Sequence, residues 1–238
     1  MPCQVSIIIP TLNEGKYLPL LLDSIKKQSF SDYEIIVADA GSQDRTREIA
    51  QKYGCQVVKG GSVAQGRNSG ARAAKGNLLL FLDADVILPQ SDFLEKLLKK
   101  FKERKLDIAF FPIFARGNII DKIVYALYNF WTFLTQKFLP HATEVILVKK
   151  EIHQKIAGFD EEIKIAEDHA YVRQASKIGR YGFLLVGPVL TSNRRFERDG
   201  RFKTYLKYLL AGLHMVFIGP VKSDIFHYKF DHYSKNKK

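Results

Sequence analysis

The feature that most constrains this chain is a repeated change of hydrophobic period through its first half. Short runs of consecutive β-branched and aliphatic residues alternate with segments whose apolar residues recur every three or four positions. Val5 to Ile9, closed by Pro10, reads as a strand buried on both faces rather than as a helix. From about Lys16 to Gln28 the residues Leu18, Leu21, Leu22 and Ile25 mark one face of a helix, and Glu34 to Ala38 is a second buried strand. Arg45 to Tyr53 reads as a helix with Asp44 placed to cap it, Gln56 to Val58 as a third strand, and Ala64 to Lys75 as another helix. Leu78 to Leu82 is the most apolar strand of the chain. Such an alternation specifies a doubly wound, Rossmann-like α/β sheet, mostly parallel, with helices on both faces.

The second half is less regular. A helix from about Asp92 to Arg104 leads to a strand at Ile108 to Phe111, followed by a long aromatic stretch from Ile119 to Leu139. Its uninterrupted apolar part, near Ile123 to Leu134, is about a dozen residues, and a bilayer span needs about 20. It reads either as a core helix packed on the sheet or as an interfacial helix lying in a membrane surface. Tyr205 to Val221 is similar but interrupted by Lys207, His214 and the Gly219, Pro220 pair. Leu184 to Val189 is the last strand-like run. With no repeat and no linker, residues 1–238 read as one domain.

Composition narrows the class. With 46% hydrophobic and 26% charged residues the chain is globular rather than disordered or fibrous. Cys3 and Cys55 have no metal-finger spacing, and Met1 leads into a strand-like run without a basic leader, so reduced thiols and a cytoplasmic location are expected. The 37 Lys and Arg against 25 Asp and Glu give a net charge of +12, which favours nucleic acid, nucleotide phosphates or anionic membrane. No nucleic-acid module is present, so a basic nucleic-acid-binding protein is the weak alternative and no nucleic-acid partner is expected. No Gly-x-Gly-x-x-Gly follows a strand, which argues against a dehydrogenase.

The residues able to carry chemistry cluster at strand ends. Asp83, Ala84 and Asp85 follow the most apolar strand, where open α/β sheets bind ligands. Two carboxylates one residue apart can reach one pocket and attract Mn²⁺ or Mg²⁺, a cation that completes its shell with substrate phosphates. Asp39, Gly41, Ser42 and Asp44 follow the second strand. Asp39 can accept hydrogen bonds from a nucleoside, while Gly41 permits the turn and Ser42 or Asp44 can accept from helix amides. Arg67 and Asn68 lie in a glycine-flanked segment, where a guanidinium can pair with phosphate or stack on a base. Glu167 and Asp168 open a helix through Tyr171, Val172 and Ala175, and their roughly 100° divergence lets only one point into a given site. One of them suits a general base. Arg194 and Arg195 could clamp a diphosphate leaving group.

Taken together, Ser6 to Glu14 (SIIIPTLNE), Asp39 to Thr46 (DAGSQDRT), Arg67 to Ala74, Phe81 to Asp85 (FLDAD), Gly158 to Glu161 (GFDE) and Glu167 to Gln174 (EDHAYVRQ) resemble the family 2 glycosyltransferases in order and spacing over roughly residues 4–200. The resemblance implies a GT-A fold, a UDP- or GDP-linked sugar donor, a divalent cation and inversion at the anomeric carbon. It places Pro10, Thr11 and Glu14 by the nucleoside, Asp39 and Arg67 at the base, Asp83 at the ribose, Ser42 and Ala84 in the donor pocket, and Asp85 on the metal. It makes Asp168 the base, with Glu167 supporting it. About 1–115 would then bind the donor and about 116–238 a glycan or lipid-linked acceptor, with amphipathic helices in peripheral contact with the inner membrane face. A polyprenyl-phosphate acceptor and a sugar-nucleotide nucleotidyltransferase are the enzyme alternatives. The second of these lacks its usual Gly-rich, Arg-bearing loop in Pro10 to Lys16. Phe130 to Phe133 could equally bury against a second subunit, so the oligomeric state stays open.

Overall fold

The structure, a computed structural model, describes residues 3–222. Four strands, β1 (Val5–Thr11), β2 (Tyr33–Asp39), β3 (Gln56–Lys59) and β4 (Leu78–Leu82), run parallel, linked by α1 (Leu18–Lys26), α2 (Thr46–Lys52) and α3 (Val63–Ala73). The pleat sorts their side chains by parity. Val5, Ile7, Ile9, Leu80 and Leu82 pack with Leu21, Leu22 and Ile25 of α1 and with Phe93 and Leu97 of α4 (Phe93–Glu103). Ile8, Leu79 and Phe81 face the other way, toward Ala64 and Ala71 of α3 and Tyr171 and Val172 of α7 (Glu167–Ala175). Helices therefore cover both faces. A Cβ on Gly70 would stand 2.3 Å from the Ile8 side chain, so only glycine lets α3 lie this close to β1.

Three more strands complete a seven-stranded sheet in the order β3-β2-β1-β4-β7-β5-β8. The run Val145–Lys149, β7, is inserted antiparallel between β4 and β5 (Ile108–Phe110), and β8 (Tyr181–Phe183) is parallel to β5. The single strand expected over Leu184 to Val189 is corrected: β8 ends at Phe183 and β9 (Val189–Thr191) begins beyond Gly187, whose φ is +149°, and Pro188. β9 leaves the main sheet and pairs with β6 (Ile113–Ala115).

The aromatic stretches become α5 (Ile119–Thr135) and α9 (Arg201–Phe217), with α6 (Lys150–Lys155) and α8 (Arg194–Asp199) as short connectors. The reading of α5 as a core helix is overturned. Its buried positions are Asp121, Asn129 and Thr132, whereas Ile123, Leu127, Phe130, Trp131, Phe133 and Leu134 are exposed. The reason is its neighbour. α5 lies along β6, and the Asn129 amide accepts from the Ile113 N–H at 3.2 Å and donates to the Ile113 carbonyl at 2.8 Å, standing in for a missing strand. Among the described residues no helix is long and apolar enough to cross a membrane.

Candidate active site

Arg67 is the centre of the site. Its side chain, 3% exposed on α3, donates from Nη1 to Glu167 and from Nη2 to Asp83, each at 2.8 Å. Burial alone would lower its pKa, and the carboxylates of Asp83, Glu167 and Asp168 more than reverse that. The motif Gly158 to Glu161 holds this arginine in place. Gly158 adopts φ +78°, and Asn68, beside Arg67, accepts from the Phe159 N–H and donates to the Phe159 carbonyl and to Glu161. The Phe159 ring stacks on Tyr171 at 3.8 Å and carries the Arg67 guanidinium 5.2 Å above it. One cation shared by two carboxylates leaves both carboxyls easy to protonate. Desolvation, with Asp168 and Asp83 adding and Arg67 opposing, pushes Glu167 up to about 7.

Asp85 lies on the other side of Asp83, near enough to raise the Asp83 pKa behind the larger effect of desolvation. It accepts from Ser192 Oγ at 2.5 Å and stands 3.1 Å from Arg194 Nε. Arg194 also forks onto Glu14 at 2.6 and 2.7 Å and covers the Tyr17 ring at 4.9 Å. Burial pushes Glu14 up to about 7 despite that arginine, with Asp85 and Asp83 adding to the rise. Of the two arginines expected as a clamp, Arg194 thus enters the site, while Arg195 donates to Tyr208 of α9 at 2.8 Å.

The adjoining part of the candidate site is built by the loops after β1 and β2. Asp39, 5% exposed, accepts from the Gly41 and Ser42 amides and from the hydroxyls of Thr11 and Ser42, and lies 3.2 Å from Arg47 Nε. Of Ser42 and Asp44, either of which could accept from the helix amides, Ser42 turns elsewhere: its hydroxyl accepts from the Asn13 amide, 29 residues earlier, and so ties the two loops together. Asp44 does accept from the first amide of α2, that of Thr46, at 3.0 Å. Pro10 is half-buried at the end of β1 against α3, and Ala84 is buried between the two aspartates. Beside Asp39 opens a cleft of about 430 Å³ lined by Gly41, Arg47, Val58, Lys59 and Gly60. It stands at the carboxyl ends of β2 and β3, where open sheets take ligands.

Asp168 differs from its neighbour Glu167. Among the described residues it forms no ion pair, and it accepts only from the following amide, that of His169, at 2.7 Å. Ala166, at φ +59°, turns the chain so that both acids occupy the first turn of α7. His141 and His169 stand edge-on at 5.3 Å beside it, and burial keeps both pKa values low, that of His141 at about 3.

Sequence reasoning missed Tyr17, Arg47 and Glu144. Glu144 precedes β7, its carbonyl accepts from the Asp83 amide at 3.2 Å, and its buried Oε2 has no partner. Desolvation followed by Asp85 and Asp83 raises its pKa. This orphaned oxygen and the crowding of like charges fit a hard divalent cation at the Asp83 and Asp85 carboxylates. No three acidic, histidine or cysteine side chains converge at metal-holding distance among the described residues, so phosphate oxygens and water would supply the rest of the shell.

Comparison with known proteins agrees with this geometry. The family described as Glycosyl transferase family 2 matches residues 6–153. An uncharacterized glycosyltransferase of Haemophilus influenzae is 30% identical over 189 residues, covering 71% of this chain and 60% of its own length. The chain spans between 54% and 66% of the first curated relatives it matches. Among solved structures, Pyrobaculum calidifontis mannosyltransferase PcManGT in complex with GDP-Man and Mn²⁺ superposes with a TM-score of 0.69 at 19% identity, covering 88% of this chain and 63% of that one. Staphylococcus aureus TarS 1-349 in complex with UDP-GlcNAc gives 0.65 at 20%, covering 90% and 73%. These two likenesses carry the fold, the GT-A arrangement of a mostly parallel sheet. The family match covers more than half of the sequence, and the chain belongs to glycosyl transferase family 2.

Proposed function

We propose that this single-domain chain transfers a sugar, with inversion, from a UDP- or GDP-linked donor to a hydroxyl of a glycan or lipid-linked acceptor, at the inner face of a cell membrane. The observation that supports it best is the division of labour between the paired acids. Glu167 is tied to Arg67, while Asp168, which forms no ion pair among the described residues, has its carboxylate left for an acceptor proton.

In this reading the nucleoside lies in the cleft beside Asp39, with Pro10, Thr11, Glu14 and Ser42 on the neighbouring segments after β1 and β2 and Asp83 and Ala84 below the ribose. The sugar–phosphate bond breaks through a cation-like transition state, so the leaving diphosphate gains charge as the bond lengthens. Arg194, poised between Glu14 and Asp85, exchanges a carboxylate for that diphosphate, and Arg195 supports it from the α9 side. Mn²⁺ or Mg²⁺ at Asp85 and Asp83 would supply the remaining neutralisation. Arg67 holds Asp83 and Glu167 in register with each other, and Asp168 takes the acceptor proton on the face opposite the diphosphate.

Asp168→Asn tests the assignment. Donor binding, read as a nucleotide-dependent thermal shift with Mn²⁺, should persist, while transfer falls by about 10² to 10⁴, the range of general-base catalysis. Near-normal turnover would point instead to an acceptor that is already anionic, such as a polyprenyl phosphate, and would remove the base from the mechanism.

A further inference from the structure

α5 is built inside out, and α9, which buries little of its own apolar surface, adjoins it. On α5 the buried side chains are Asp121, Asn129 and Thr132, and on α9 they are Thr204, Ala211 and Met215. The outward faces carry Leu127, Phe130, Trp131 and Leu134 from the first helix and Phe202, Leu209 and Phe217 from the second. The two helices are tied together near their N-terminal ends. Asp121, fully buried, accepts from Arg201 and Tyr205 of α9 at 3.1 and 2.7 Å and from Asn193 at 2.9 Å. Monomeric soluble proteins rarely expose so many large apolar side chains on neighbouring helices without a partner for them.

The charge around this face says which partner fits. The two helices contain one acid between them, the buried Asp121. Lys122 and Lys203 are exposed and Lys207 half-buried among the apolar residues, with Arg116 and Lys137 exposed at the two ends of α5. A second copy would lay this face on itself, lysine against lysine, because a two-fold contact pairs each patch with its own kind. An anionic lipid surface meets the same pattern with opposite charge and accepts the apolar side chains between the headgroups. At 17 residues α5 is about 25 Å long, which suits lying in the interface.

We propose that α5 and α9 form one platform that docks this enzyme flat on an anionic membrane surface. It deepens the proposed function, resting on it only for the lipid-linked acceptor that docking would bring within reach; the docking itself is read without turnover. The platform sits next to the site: Asn193, which donates to Asp121, immediately precedes Arg194.

Trp131, the chain's single tryptophan, lies on this face at 54% exposure and reports its environment directly. The experiment adds vesicles of neutral phosphatidylcholine, or of the same lipid with about one third phosphatidylglycerol, to the full chain. Anionic vesicles should shift the Trp131 emission to the blue, brominated acyl chains should quench it, and high salt should reverse both effects. Lys203→Glu with Lys207→Glu should weaken vesicle binding by about tenfold or more. Phe130→Ser with Leu134→Ser should abolish it, and both pairs should keep the donor-dependent thermal shift. Trp131 emission that neither vesicle moves overturns the proposal. So does equal binding to neutral vesicles, or a dimer in solution whose Trp131 is already blue-shifted. Docking without any donor-dependent shift would count against the proposed function and leave the platform standing.

Discussion

Helices α4 and α5 follow one another through the chain and obey opposite rules. α4 buries Phe93, Leu94, Leu97 and Phe101 and exposes Glu95, Lys96, Lys99, Lys100 and Lys102. α5 buries an aspartate, an asparagine and a threonine and turns its aromatic residues outward. What differs is the surface each helix lies on. α4 rests on a sheet face lined by Leu80, Leu82 and Leu147, where only apolar side chains are satisfied. α5 rests on the open edge of β6 and on the segment carrying Asn193, where backbone and side-chain polar groups need partners. A helical pattern reports where apolar surface lies on a helix. The neighbour decides whether that surface points in.

The sharpest way to break this contrast is in α4. Leu97→Ala empties a fully buried position and should cost about 3 kcal/mol, lowering the melting temperature by about 6 to 12 °C. A loss below about 1 kcal/mol would mean that α4 is not clamped by its apolar face. The corresponding test of α5 strikes its polar inner face. Asp121→Ala leaves Asn193, Arg201 and Tyr205 without their acceptor and should cost about 2 kcal/mol, with Asp121→Asn restoring part of it. Chemical denaturation of the three proteins reads the difference, and an unchanged midpoint for Asp121→Ala would show that aromatic contacts such as Tyr125 with Phe196, rather than the aspartate, seat the helix.

The same contrast explains how much of the molecule could be read from its residues. β1, β2, β3 and β4 were legible because strands buried on both faces are apolar without interruption and their helices keep one period. The site was legible where a short segment carries its own signal: Asp83 and Asp85 at a strand end, Glu167 and Asp168 at a helix start. Pairings across the chain were not. Arg194 meets Glu14 over 180 positions and Arg67 meets Glu167 over 100, and no local pattern announces either contact. Glu144 lies beside β7, whose antiparallel insertion between β4 and β5 cannot be inferred from the alternation that precedes it. Arg67 shows the limit most clearly. Its residue type suggested a phosphate or a base, whereas burial on α3 sets it against two carboxylates.

The smallest expected effect is the most telling, because it is a comparable truncation of a leucine placed on the outward face. Leu127 is 63% exposed on α5, so in the free protein its side chain is already largely hydrated and its removal opens no cavity. Leu127→Ser should therefore change stability by less than about 0.5 kcal/mol, since surface substitutions away from caps and packed contacts fall in that range. A comparable thermal melt of the wild type and the variant, each at several protein concentrations, checks it. A loss of 2 kcal/mol or more would mean that Leu127 is covered in solution. A loss that grows with protein concentration would identify the cover as a second copy, since only association is driven by mass action. A difference of near zero at every concentration leaves the face of α5 bare in the free protein, which is the state a membrane-docking surface must have before it meets lipid.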